Sequence, residues 1–179
     1  MNVSEALSTI AFQIAVFVLP FVLLRFEGKN LKKSLGFLRV KKFSWSDFLW
    51  KGFALFAFSY GLVLIELSIL GFFGLDDSSK VENALNGFLP LVLILVLVLS
   101  PIVEELLFRG YVLPKVGIFF SSLVFASLHY FYGSYAEILA AFTLAVCFSY
   151  FVKRWNSIYP AIFAHFLVNL TAVLGMFLL

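Results

Sequence analysis

Apolar residues follow one another along this chain in long unbroken stretches. Residues 6 to 24, 83 to 103, 116 to 136 and 155 to 179 contain no Asp, Glu, Lys or Arg. Each is close to the roughly 17 to 25 residues with which a helix crosses a bilayer. Two weaker stretches add to these. Residues 48 to 73 are interrupted by Lys51 and Glu66, and residues 138 to 152 are short unless 135 to 137 lie at an interface. The pattern predicts an all-α integral membrane protein of about six transmembrane helices. A transmembrane barrel would instead alternate apolar and polar positions over segments of about ten residues, and "LPLVLILVLVLS" shows no alternation.

Composition agrees with the pattern. Of 179 residues, 63% are hydrophobic and 13% charged, against about 25% charged in soluble domains. The mean hydropathy is +1.04. The N-terminal stretch lacks a basic leader and a small-residue cleavage site, so the first span is expected to be retained. The single Cys147 excludes an intramolecular disulfide and reads as a packing residue.

The net charge of +3 and pI near 9.0 would suit nucleic acid, but its placement argues for topology instead. Arg25, Lys29, Lys32, Lys33, Arg39, Lys41, Lys42 and Lys51 cluster in or beside the first loop. Short basic loops stay cytoplasmic, so that loop, Lys115, Lys153 and Arg154 fall inside. "GLDDSSKVEN" and "FYGSY" then fall outside, with both termini, in a multi-pass protein of the cell membrane. Membrane lipids are expected partners, and the basic loop can also attract their anionic head groups. No nucleic-acid partner is expected, and the oligomeric state stays open. No linker or repeat divides the chain, which reads as one membrane domain. Residues 1 to 75 form two peripheral spans and the basic loop, and residues 88 to 178 form a four-helix core.

Within the apolar segments stand Glu66, Glu104, Glu105, Arg109, His129 and His165, with Glu137 at an edge. Ionisable groups are costly in lipid, and each raises a functional hypothesis. Glu66 lies near a span end without a polar neighbour at helical spacing, and it and Glu137 read as structural. Glu105 and Arg109 are four apart, acid first, which stacks them as an ion pair. Glu104 points about 100° away and is left free. Pro101 removes a backbone hydrogen bond just upstream, so a bend is expected there. Counting at 1.5 Å per residue from the cytoplasmic ends puts Glu104, His129, His165 and Asn169 roughly 12 to 18 Å deep. One carboxylate, two imidazoles and one carboxamide at one depth form a hydrolytic inventory: an acid to take a proton from water, a histidine to position that water or shuttle the proton, and a histidine and amide to bind an oxyanion. Phe125, four before His129, reads as packing that sets the histidine's rotamer.

Three stretches, "EELLFR", "FASLH" and "HFLVN", resemble the EExxxR, FxxxH and HxxxN motifs of the CPBP (Abi) family. That family comprises CAAX prenyl endopeptidases with bacteriocin-processing and immunity-type relatives. The resemblance covers about residues 88 to 172. It implies a metal-independent glutamate-type intramembrane peptidase with no cofactor, acting on a peptide or lipid-modified protein substrate. By position, Glu104 matches the water-activating acid working with His129. Glu105 and Arg109 match its supporting pair, and His165 with Asn169 match the oxyanion-stabilising pair. The chain is short, with two spans before the motif core, which leaves the prenylated substrate open. Three other readings stand beside this one. The same residues can form a structural network in a non-proteolytic scaffold or immunity protein. Two histidines and two glutamates can bind zinc in a metal-dependent protease, although HExxH is absent. A proton-coupled transporter would also use such groups.

Overall fold

The computed structural model describes residues 3–40, 43–86 and 90–178. They form helices and turns, with no strand among the described residues. Helix α1 is Val3–Phe26, α2 is the short Leu31–Phe37, and α3 is Gly52–Phe72, entered through a π-helical turn at Asp47–Lys51. A second short helix, α4, is Ser79–Asn86. Helix α5, Pro90–Glu104, continues as a π-helical segment, Glu105–Val112. Helix α6, Leu113–Ser127, leads into a 3-10 turn at Leu128–Tyr132; α7 is Tyr135–Trp155 and α8 is Tyr159–Leu178.

Three helical stretches are long and apolar enough to cross a bilayer: Ala6–Phe26, Asp47–Phe72 and Tyr135–Trp155. The apolar stretch Tyr159–Gly175 is shorter. Their surfaces carry large apolar side chains, among them Phe12, Ile14, Phe53, Phe58 and Ile65, that water would not tolerate in such numbers. The protein is therefore an all-α membrane protein.

Several boundaries differ from the sequence expectation, each for a local reason. The uncharged stretch at 83 to 103 splits, because residues 83 to 86 complete α4 and Pro90 opens α5; residues 87 to 89 of that stretch, like 179 at the end of the last one, lie outside the described residues. The stretch at 116 to 136 is not one helix. Gly117 breaks it at φ 81, ψ 177, a conformation that a side chain would strain, and regular α winding ends at Ser127. The doubtful fifth stretch is instead a full 21-residue helix. Its N-terminus reaches back to Tyr135 because Ser134 caps it, accepting from the Glu137 amide at 3.1 Å. Asp77 extends that cap from the opposite loop: it accepts from the Ala136 amide at 3.0 Å, the Tyr135 amide at 3.2 Å and the Ser134 hydroxyl at 2.7 Å.

Helix α7 is the most enclosed of the three long spans, with 44% of its apolar window buried against 11% for α1 and 17% for α3. It packs on α3, α6 and α8, while α1 lies along α5 and the π-helical segment. Small residues allow the close contacts. Ala141 and Ala145 of α7 pack with Ala126, Phe108 and Phe125, and Ala161 and Ala164 of α8 join a larger cluster around Leu55, Leu113 and Phe148. The outer spans also carry polar contacts. Gln13 of α1 donates to the Ser100 hydroxyl of α5 at 2.6 Å. Thr143 of α7 donates to Glu66 of α3 at 2.8 Å. Each peripheral span thus carries a polar side chain that docks it on its neighbour.

Candidate active site

The π-helical segment begins at Glu105, four residues after Pro101. Proline cannot donate to the carbonyl four residues back, and here the helix stays continuous while its winding widens. Single π turns recur at functional positions because they turn side chains out of regular register. This one holds most of the EELLFR motif. Glu105 and Arg109 are almost fully buried, at 0% and 1% exposure, and Arg109 Nη1 lies 3.0 Å from Glu105 Oε1. The N–H is not aimed along that line, and Arg109 Nε, Nη1 and Nη2 make no directed hydrogen bond among the described residues. The contact is therefore one of charge, and aromatic rings complete it. The guanidinium carbon lies 4.3 Å from the Phe125 ring centre and 5.6 Å from that of Phe148, so both rings serve as cation–π partners. The first loop adds Arg39, whose Nη1 donates to the Arg109 carbonyl at 2.9 Å.

His165 of α8 stands between the two glutamates. Its Nδ1 lies 3.0 Å from Glu105 Oε1. An ionised carboxylate only accepts, so Nδ1 carries the proton in that bond. Nε2 then faces Glu104 Oε2 at 3.8 Å. The adjacent glutamates divide as the helical spacing predicts. Glu105 is sealed into the ion pair, while Glu104 keeps 27% of its side chain exposed.

His129 arrives differently from expectation. It stands on the 3-10 turn just past α6 rather than within a long fourth helix. Its ring packs on Phe125 with centres 4.9 Å apart, and its Nδ1 lies 3.1 Å from the Phe125 carbonyl. A carbonyl only accepts, so Nδ1 is the donor and Nε2 is turned toward the interior. Phe125 thus orients His129, and its ring also meets His165 at 6.0 Å and Phe108 at 5.1 Å.

A cavity of about 40 Å3 lies between these groups, lined by His129, His165, Asn169, Arg109 and, unexpectedly, Glu137. A water needs roughly 10 to 15 Å3 on this measure, so the cavity accommodates water and not a peptide. The cavity brings His129 together with His165 and Asn169 of α8, and Glu104, the fourth residue of the depth count, is not among its lining residues. The carboxylate that faces His129 is Glu137, with Oε1 4.0 Å from Nε2, whereas Glu104 meets His165. Sequence reasoning set Glu137 aside as an edge residue. Its position three residues into α7, directly after a loop, held no helical-spacing signal toward a partner on another element. Among the described residues no three His, Cys, Asp or Glu side chains are grouped to hold one metal ion.

Fold and site together define a helical membrane protein with acid–base groups enclosed between its helices. The family model described as type II CAAX prenyl endopeptidase, Rce1-like, matches residues 86–171. That segment holds all three motifs, and over it the chain is similar to the CAAX prenyl endopeptidases of that family. No curated protein and no solved structure matches the chain.

Proposed function

We propose that this protein is an intramembrane endopeptidase that hydrolyses a peptide bond near a prenylated or membrane-embedded segment, with Glu104 as the base that activates water. The cell membrane is its place, crossed six times with the basic loop inside. The supporting observation is the unequal state of the adjacent glutamates. Glu105 is sealed against Arg109 and His165, and Glu104 is 27% exposed beside the remaining nitrogen of His165.

In the proposed reaction, Glu104 takes one proton from water as its oxygen attacks the peptide carbonyl carbon. His129 aligns the water. The amide of Asn169 and an imidazole N–H of His165 face the oxyanion that forms. When the carbon–nitrogen bond breaks, the proton gained by Glu104 passes to the leaving nitrogen, directly or through His165 Nε2, and the free carboxylate returns. Glu105 and Arg109 hold His165 in place. Prenylated proteins are the substrates that the family description names.

The test is cleavage of prenylated and unmodified membrane peptides by purified protein. Glu104→Ala is expected to lose at least about 100-fold in rate, the usual scale for a general base; a variant as fast as wild type overturns the proposal. Activity that survives chelation separates this reading from a metal-dependent one. The small cavity and the buried Glu105–Arg109 contact favour a second reading, a non-proteolytic scaffold or immunity protein. It predicts that Glu104→Gln keeps function while Arg109→Ala destabilises the fold.

A further inference from the structure

Glu137 occupies the first turn of α7, where an acidic side chain ordinarily turns back on exposed backbone amides. Here that task is already taken. The Tyr135 and Ala136 amides donate to Asp77 and the Glu137 amide donates to the Ser134 hydroxyl. The Glu137 carboxylate is left to face inward, where it lines the cavity shared by His129, His165, Asn169 and Arg109. Its Oε1 lies 4.0 Å from His129 Nε2, too far for a direct hydrogen bond and close enough for one shared water. His129 cannot rotate away, since its Nδ1 is committed to the Phe125 carbonyl at 3.1 Å and its ring is stacked on Phe125. Glu137 and His129 are also comparably open, at 29% and 20% exposure.

We propose that Glu137 is a positioning residue for His129: its carboxylate sets which protonation state His129 presents to the cavity and stabilises the imidazolium when Nε2 accepts a proton. This rests on the peptidase reading and extends it, because the site then contains two acid–imidazole pairs, Glu104 with His165 and Glu137 with His129. During hydrolysis Glu104 takes the proton of the attacking water. The Glu137–His129 pair keeps Nε2 set to align that water, the proton gained by Glu104 goes to the leaving nitrogen as the carbon–nitrogen bond breaks, and His129 ends the cycle in the protonation state in which it began. The charged groups facing His129 are Glu137 from α7, His165 from α8 and Arg109 from the π-helical segment.

The experiment compares wild type, Glu137→Gln, Glu137→Asp and Glu104→Ala as full chains in detergent, with a fluorogenic prenylated CAAX peptide. Glu137→Gln is expected to lower kcat at least tenfold with KM within twofold, and to displace the acid limb of the kcat–pH profile. Glu137→Asp is expected to recover part of the rate and the profile. Glu137→Gln with wild-type kcat and pH profile, while Glu104→Ala is inactive, overturns the inference and leaves the peptidase reading intact. If wild type cleaves no peptide, the peptidase reading fails instead. The inference then still has its own readout, because the chain has two histidines. With 15N-labelled histidine, Glu137→Gln must shift the titration of His129, assigned with a His165→Gln variant; an unmoved His129 titration overturns it. Should Glu137→Gln fail to fold, the same titration in Glu137→Ala decides.

Discussion

At the scale of single residues, burial decides which charges are structural. Arg109 and Glu105 are sealed together, and removing one partner of a buried pair leaves an uncompensated charge. Arg109→Ala is expected to cost about 3 to 5 kcal/mol, read as thermal unfolding in detergent. Arg109→Lys should rescue it poorly, because an ammonium cannot stack flat on the Phe125 and Phe148 rings. Glu27, beyond the end of α1, shows the opposite environment. Lys115, Lys29 and Tyr111 all donate to it, and the Lys115 ammonium is the largest cause that lowers its carboxyl from the ordinary 4.5 to about 2. A carboxyl lowered on folding stabilises the fold above its unfolded value and loses that contribution as pH falls through the folded one. The contacts between α1 and the Tyr111–Lys115 segment should therefore loosen between pH 4.5 and about 2. An acid titration of unfolding that Glu27→Gln leaves unchanged would refute this.

At the scale of elements, helix ends and crossings carry the precision. Asp77 holds the first turn of α7 from another loop, and its carboxyl is held far below the usual range, chiefly by the Ser134 hydroxyl and the Ala136 amide. Asp77→Ala should raise amide hydrogen exchange over residues 134 to 138. On the positioning argument it should also lower activity, because Glu137 rides on that turn. An unchanged exchange pattern would show the cap to be dispensable. Where α3 crosses α8, a Cβ on Gly52 would stand 2.7 Å from the Phe163 ring and 3.0 Å from the Pro160 carbonyl. Gly52→Ala is expected to cost about 1 to 3 kcal/mol, the range for overpacking, and wild-type thermal stability in that variant would contradict the close crossing.

At the scale of the whole molecule, the cavity is small. About 40 Å3 is well below the roughly 300 Å3 at which ligand pockets begin, so on the peptidase reading a peptide substrate requires helices to part. Cross-linking α5 to α8, which pack on each other, by a cysteine pair is expected to stop peptide cleavage and leave the fold intact. Cleavage at the uncross-linked rate would show that the peptide enters elsewhere. The charge pattern supplies a separate expectation: a membrane-impermeant thiol reagent should label a cysteine at Lys32 only after the membrane is opened, and one at Ser78 without opening it.

What the sequence by itself determined is what depends on local order. Long uncharged runs dictate helices, and the spacing of four between Glu105 and Arg109 dictates their pairing. The same spacing placed Phe125 beneath His129 and set Asn169 one turn beyond His165. Which acid meets which imidazole was decided only in three dimensions. His165 lies against Glu104 and Glu105, and His129 against Glu137, because α6 ends early at Ser127 and α7 begins early under the Asp77 cap. The second boundary depends on a hydrogen bond from a loop more than fifty residues away, which does not follow from the periodicity of the segment it governs.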